Sequence, residues 1–314
     1  MSVSADEFEA AVDAFLEQVT GQLEAEGVRG TNLEAVWREV LAERSDPEAA
    51  LRRTLEALLG HDPGDADDAE VERFVRDGAA LGTASAMEVA AASQPLHAGD
   101  FQEMAASAGE AIAFGDAARL SPKAKRSLPR TGPAWLRRVV AAKALRRQES
   151  LGQQPISDHR LSAIAGVGSR SPMAGQVNVP LTFALHMTRG REDRVVLRPR
   201  SQHGRRFDLS RLIGDRIATD DGGRLRPVTR ADTYRQKLQR SFAAELLAPF
   251  DAVRDMLGDN LSDEAQEEVA DHFGVSFWVV RNQLVNNGLL GRDDASPDNE
   301  AVADRGSTSA LSAP

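Results

Sequence analysis

Apolar residues recur every three or four positions through the first sixty residues of the chain, which is the spacing of one face of an α-helix. Ser4, Thr31 and Ser45 each stand three positions before a Glu, and this capping-box spacing predicts three helix starts. Gly27 and Gly60 lie where the first and third helices are expected to end. The pattern therefore predicts three amphipathic helices, whose apolar stripes pack either against each other or against a second subunit.

The chain after these helices divides by composition. Residues 70–118 are rich in alanine and weakly patterned, so residues 1–120 are predicted to form one helical domain. Prolines and basic residues at 121–133 indicate a linker. Residues 134–290 then form a second domain, and residues 291–314, which lack aromatics and periodicity, are predicted to be a disordered tail.

The second domain mixes helical and strand patterns. Segments 180–187 and 194–199 are rich in β-branched and aromatic residues and predict a hairpin or two neighbouring strands. Helical spacing is found at 134–152, 207–218 and 231–250. The predicted fold class is therefore a mostly helical α+β protein with a small sheet.

Charge is distributed unevenly along the chain, whose formal net charge is −10. Residues 1–115 carry 7 Arg or Lys and 24 Asp or Glu, whereas residues 116–240 carry 27 and 10. The basic block can attract nucleic acid or an acidic partner, or it can bind the acidic N-terminal part of the same chain. The basic helix at 134–152 likewise suits a membrane surface or an acidic partner, or it is an ordinary helix with a solvated arginine face.

The composition narrows the possible classes of protein. The chain has no cysteine, which excludes disulfides, thiolate zinc ligands and cysteine nucleophiles. The first residues lack the basic and apolar regions of a secretion signal, and no apolar run approaches the length of a membrane span. We therefore expect a cytoplasmic protein that does not bind to membranes.

Four segments of the second domain occur in an order typical of one family. They are Pro-Ile-Ser-Asp at 155–158, Arg-Arg-Phe-Asp-Leu at 205–209, Phe-Ala-Ala-Glu-Leu-Leu-Ala-Pro at 242–249, and the segment 270–280. With them, residues 134–290 resemble the ImmA/IrrE family of zinc metallopeptidase-like proteins. The resemblance implies a zincin-like minimal metallopeptidase domain that ends in a helix–turn–helix-like element.

The resemblance also implies where the zinc site of the family would lie. There, Arg-Phe-x-Leu-x is followed by His-Glu-x-x-His on a helix, so that two imidazoles on one face bind zinc and the Glu acts on its water. In this chain the first ligand position is Arg211, the catalytic Glu position is Leu212, and the second ligand position is Asp215. The family's third ligand, a Glu, corresponds to Gln236.

The four replacements remove the side chains that would bind zinc and transfer a proton in the family's site. A guanidinium offers no lone pair to zinc, and a leucine moves no proton. Arg211 and Asp215 are four residues apart on the predicted helix, where they are expected to form an ion pair. None of the six histidines has another histidine three or four residues away, so no second helix offers the zinc pattern. We therefore expect no catalytic residue, no metal and no cofactor.

The predicted helix–turn–helix-like element spans residues 266–289. Its second helix would present Arg281, Asn282 and Asn286, whose side-chain types suit base edges. Arg281 is the one cation of that helix, and its sequence surroundings are acidic. Packing within the domain is therefore the alternative role of this element.

The sequence predicts a catalytically inactive, metallopeptidase-like regulatory protein that holds a protein partner. By resemblance, this partner is a transcriptional regulator or a factor of a mobile element or stress response. Two alternatives stay open: an active zinc endopeptidase with atypical ligands, and a DNA-binding regulator that uses the basic region and the helix–turn–helix. The oligomeric state stays open as well. The groove expected to hold the partner is formed by Arg205, Arg206, Arg211, Asp215, Gln236 and Arg240.

Overall fold

The computed structural model describes residues 5–112, 119–129, 134–167, 178–187, 192–199, 201–218 and 223–291. The chain divides into two compact units, Met1–Glu72 and Arg73–Pro314. Within the described residues, the fold is mostly helical with one small antiparallel sheet, which confirms the predicted α+β class. Ser4 and all of the predicted tail except Gly291 lie outside the described residues.

The first unit contains three helices, α1 (Ala5–Ala25), α2 (Asn32–Ser45) and α3 (Pro47–Leu59), and the start of α4 (Asp68–Leu81). Thr31 and Glu34 form the predicted capping box at the start of α2. The predicted cap at Ser45 is wrong by one residue, because the Asp46 carboxylate accepts from Glu48 N at 2.9 Å and so caps α3. Ser45 is the last residue of α2, and its hydroxyl donates to a carbonyl of that helix.

The second unit contains the remaining elements. Its helices and strands in chain order are α5 (Thr83–Ala91), α6 (Ala98–Ala108), β1 (Glu110–Ile112), α7 (Pro122–Arg126), α8 (Ala134–Gln148), α9 (Asp158–Ala165), β2 (Thr182–Met187), β3 (Glu192–Val196), α10 (Gln202–Ala218), β4 (Leu225–Val228), α11 (Tyr234–Leu247), α12 (Phe250–Leu257), α13 (Asp263–Phe273) and α14 (Phe277–Asn286). The helix predicted at 231–250 corresponds to α11, which is shorter and ends at Leu247.

The sheet has the strand order β1-β3-β2-β4, and its described neighbours are all antiparallel. β2 and β3 are the two strands predicted from sequence, and they pair with Ala184 opposite Val195. β1 and β4 were not predicted. They add one strand to each side of the pair, with Ala111 opposite Arg194 and Ala184 opposite Arg226.

The division between the two units differs from the predicted one. The prediction placed the boundary in the linker at 121–133, whereas the structure places it between Glu72 and Arg73. The alanine-rich segment before the linker packs on the sheet: β1 pairs with β3, and the Phe101 ring of α6 meets the Phe183 ring of β2 edge to face at 5.0 Å. Of the linker, residues 130–133 lie outside the described residues.

The core of the second unit forms where α8, α10 and α11 pack together under the sheet. Gly214 lets α10 approach α11 closely, because a Cβ at this position would lie 2.6 Å from the Phe242 ring. No helix in the described part of the chain is both long and apolar enough to cross a membrane.

We expect Gly214→Ala to lower the free energy of unfolding by about 1–3 kcal/mol, the usual cost of forcing an extra carbon into a packed core. The matched control is Gly21→Ala in α1, where a Cβ would meet nothing within 4 Å. That variant is expected to be unchanged or stabilised by up to about 1 kcal/mol, because alanine favours the helix. Urea unfolding followed by circular dichroism measures both. Equal effects of the two substitutions would contradict the close approach.

Candidate functional site

The guanidinium of Arg211 lies in the centre of the second unit. Arg211 projects from α10 and is 0 % exposed to solvent. Its Nη2 donates to the Thr229 carbonyl oxygen at 2.7 Å and to Gln236 Oε1 at 2.7 Å. Its Nη1 lies 3.6 Å from Asp208 Oδ1. The position that would carry the first zinc ligand therefore holds a buried charge that is bound from its own helix, from the residue after β4 and from α11.

Gln236 uses both ends of its amide to hold this arrangement. Its Oε1 also accepts from Thr229 N at 2.9 Å, and its Nε2 donates to Glu88 Oε2 at 2.8 Å and to the Pro227 carbonyl at 3.2 Å. The structure thus brings the first and third ligand positions of the resemblance into direct contact. Glu88 belongs to α5, in a segment to which the sequence gave no function.

Asp215 has a partner that the sequence did not suggest. Its carboxylate, which was expected to pair with Arg211, is bound by two atoms of Arg235, at 2.8 Å and 2.6 Å. Gln239 Nε2 donates to it at 3.1 Å. Arg235 faces α10 from α11, and its planar fork binds both carboxylate oxygens of Asp215.

The pKa of Asp215 is lower than the usual value for an aspartate. Burial alone would raise this pKa, but the hydrogen bond and charge of Arg235, with help from Gln239 and Arg226, outweigh the burial. Asp215 is therefore an ionised, fully engaged carboxylate. Leu212, at the catalytic position of the resemblance, packs in the apolar core.

Most of the predicted partner groove is buried. Arg205 and Arg206 lie at the start of α10, and the guanidinium of Arg206 binds Asp158, the Ile156 carbonyl at 2.7 Å and the Gly274 carbonyl at 3.0 Å. Arg205 Nη1 donates to the Pro199 carbonyl at 3.2 Å. Together with the buried residues at positions 211, 215 and 236, they hold the fold together and do not form an open surface.

An open groove of about 940 Å³ lies elsewhere in the second unit, and Arg240 of the predicted set lines it. Residues of α8, α10, α11 and α14 form its walls. Its apolar lining includes Trp135, Val139, Phe207, Phe250, Trp278 and Val279, and its cationic lining consists of Lys143, Arg198, Arg230, Lys237 and Arg240. The groove therefore combines apolar surface with positive charge.

Glu245 is a buried carboxyl group in the wall of this groove. It is 4 % exposed, its Oε2 accepts from Phe250 N at 3.3 Å, and its Oε1 lies 3.8 Å from Lys143 Nζ. Burial raises the pKa of Glu245 to about 7, and Asp251 also raises it, although Lys143, the Phe250 amide and Arg146 act in the opposite direction. Oε1 is enclosed and has no hydrogen-bond partner among the described residues. The sequence did not indicate the raised pKa of Glu245, because this pKa depends on burial in the folded protein.

The segment predicted to form the helix–turn–helix-like element contains two helices, α13 and α14, with Gly274 between them at φ +62°. Asn282 and Asn286 of α14 line the groove. Arg281 instead binds Asp263 of α13 at 2.6 Å, and its guanidinium lies over the Phe277 ring. The predicted nucleic-acid residues are thus divided between the groove and the contact of α14 with α13.

The side chains at the positions that the resemblance assigns to zinc ligands do not fit zinc. A guanidinium that is hydrogen-bonded between a carbonyl and an amide offers no lone pair and repels a dication. In the part of the chain that the structure describes, no three His, Asp or Glu side chains cluster as metal ligands would.

Comparisons with models of known protein families, with curated proteins and with solved structures found no match to this chain.

The buried pair of Asp215 and Arg235 predicts a large effect of breaking it. Arg235→Met should lower the free energy of unfolding by about 3–5 kcal/mol, because it leaves Asp215 charged and buried. The double substitution Arg235→Met with Asp215→Leu should restore most of this loss. Arg160→Met, which breaks the half-exposed pair with Glu149 at 2.9 Å, serves as control and should cost less than about 1 kcal/mol. Urea unfolding measures all three, and a double variant as unstable as Arg235→Met would contradict the pairing.

The raised pKa of Glu245 predicts a dependence of stability on pH. The folded carboxyl keeps its proton up to about pH 7, whereas the ordinary value is 4.5, so unfolding releases a proton between these values and stability falls as pH rises. Glu245→Gln should therefore raise the free energy of unfolding by about 3 kcal/mol above pH 7, with the gain vanishing below pH 4.5. Urea unfolding across this range tests it, and a gain that does not change with pH would contradict the assignment.

Proposed function

We propose that this chain is a non-catalytic binding protein built on a metallopeptidase-like frame, and that its groove holds an extended segment of a protein partner. The main support is the position of the Arg211 guanidinium, which contacts Gln236. The resemblance would place two zinc ligands at these two positions. A permanent positive charge at that point opposes a dication.

The replacements also remove the proton chemistry of such a site. Leu212 stands where a carboxylate would act on the zinc-bound water, and its side chain packs in the core. Asp215 is fully engaged by Arg235 and Gln239. These contacts support a domain in which the former catalytic positions stabilise the fold.

The groove supports the binding part of the proposal. At about 940 Å³ it lies at the upper end of the size range of ligand sites, and it mixes apolar and polar side chains. The amide side chains of Asn178, Asn282 and Asn286 both donate and accept, as the peptide groups of an extended segment do. By the resemblance, the partner is a transcriptional regulator or a factor of a mobile element or stress response.

The test begins with a display library of random short peptides selected on the purified full-length chain. Selected peptides should bind the native chain in fluorescence anisotropy and lose at least about tenfold in affinity to Ala244→Trp and to Ser241→Trp, whose side chains would fill the groove. Ala163→Trp, on the exposed face of α9, is the matched control and should bind as the native chain does. Circular dichroism confirms that each variant is folded.

Two outcomes would overturn the proposal. Peptides that bind all of the variants equally well do not use the groove. Zinc at close to one equivalent per chain after loading and dialysis, with peptide cleavage that depends on it, would make the chain an active peptidase with atypical ligands.

A further inference from the structure

We infer that the groove selects an acidic segment that carries an apolar side chain, and that Glu245 and Lys143 form the part of the groove that senses its charge. This inference rests on the proposed function and names the chemistry of the partner. Three features of the groove support it: the lining charges, the exposed aromatic surface and the buried carboxyl in the wall.

The charges of the lining favour an acidic occupant. Among the described residues that line the groove, five are Lys or Arg and three are Asp or Glu. The three acidic residues already have partners: Asp208 accepts from the Thr182 hydroxyl at 2.6 Å, Asp232 lies 3.2 Å from Arg240, and Glu245 lies near Lys143, which also binds Asp251 at 3.0 Å. Arg240 and Lys143 are thus already paired with carboxylates, and the lining keeps an excess of cations over carboxylates. The groove is thus cationic in a chain whose net charge is −10, and acidic segments are steered towards it.

The apolar lining favours a segment that carries an apolar side chain. Trp135 is 50 % exposed at the start of α8, and Phe250 and Trp278 are half-buried in the same groove. Exposed aromatic side chains next to a cationic surface provide much contact area at little cost in side-chain entropy. An apolar side chain between acidic residues would cover this surface while its neighbours reach the cations.

Glu245 makes the selection depend on pH. The charged groups that face it are Lys143 and Arg146 from α8 and Asp251 from α12, and the Phe250 amide donates to it. When Glu245 takes up a proton, a negative charge leaves the wall and the attraction for an acidic segment increases. Because burial raises the pKa of Glu245 to about 7, binding should strengthen as pH falls through neutrality.

A protein segment fits this site better than a nucleic acid does. α13 carries exposed acidic side chains at positions 263, 264, 267, 268 and 271, and Arg281 of α14 is bound to one of them, Asp263. These carboxylates repel a phosphate backbone, which follows a long path of charge. A short acidic peptide can bind within the cationic groove without reaching the carboxylates of α13.

Three short fluorescein-labelled peptides test the preference for an acidic segment with an apolar side chain. The first has a central Phe flanked on both sides by Asp and Glu, the second replaces the acidic residues with Lys, and the third replaces the Phe with Ser. Anisotropy with the full-length chain at low salt should show the first peptide binding at least about tenfold tighter than either of the others.

Single substitutions test whether the acidic peptide binds in the groove. Lys237→Glu should weaken the acidic peptide by about five- to tenfold, whereas Arg147→Glu, an exposed position of α8 outside the groove, should change it less than twofold. Glu245→Gln should bind the acidic peptide above pH 7 as tightly as the native chain binds it below pH 7, and its affinity should no longer depend on pH across that value.

The outcomes separate this inference from the proposed function. If peptides selected from the random library bind the groove but are not acidic, or if the Lys-flanked peptide binds equally well, the inferred chemistry is wrong and the proposed function stands. If no peptide binds the groove, both are wrong. A labelled oligothymidylate that binds tighter than the acidic peptide and is displaced by high salt would assign the groove to single-stranded nucleic acid and overturn the inference.

Discussion

The buried charge of Arg211 constrains the whole second unit. A guanidinium keeps its charge at any ordinary pH, and removing it from water costs several kcal/mol unless each donor finds a partner. Thr229 follows β4, Gln236 belongs to α11, and Gln236 in turn binds Glu88 of α5. One side chain therefore fixes the positions of α5, α10, α11 and the end of β4. Because Phe207 and Asp208 lie on the same helix as Arg211, the network also sets one wall of the groove.

The segments that carry the family resemblance meet at packing contacts. Arg206, from the Arg-Arg-Phe segment, binds the Ile156 carbonyl of the Pro-Ile-Ser-Asp segment and the Gly274 carbonyl of the segment 270–280. Phe242, from the Phe-Ala-Ala segment, packs where Gly214 leaves room for it. These contacts stabilise the domain whether or not a metal is bound. The segments therefore have a packing role that does not depend on zinc ligands at positions 211, 215 and 236.

Local patterns in the sequence predicted what local forces decide. Thr31 caps its helix as expected, and the apolar segments at β2 and β3 pair as expected. The short strands β1 and β4 were missed because they span three and four residues and have no clear alternation. The unit boundary was missed because the alanine-rich segment is placed by contacts such as that of Phe101 with the sheet. The burial of the arginines, the partner of Asp215 and the titration of Glu245 depend on tertiary neighbours, which spacing along the chain does not contain.

Helix α11 presents two faces, one that holds the charge network and one that lines the groove. Its inner face carries Arg235, Gln236 and Gln239, which hold Asp215 and Arg211. Its outer face carries residues 237, 240, 241 and 244, spaced three or four apart along the groove. A substitution on the inner face leaves a buried charge without its partner, whereas one at position 237, 241 or 244 changes the lining of the groove, and Arg240 also pairs with Asp232. Under the proposed function, the partner preference can therefore change through the outer face while the charge network beneath it stays intact.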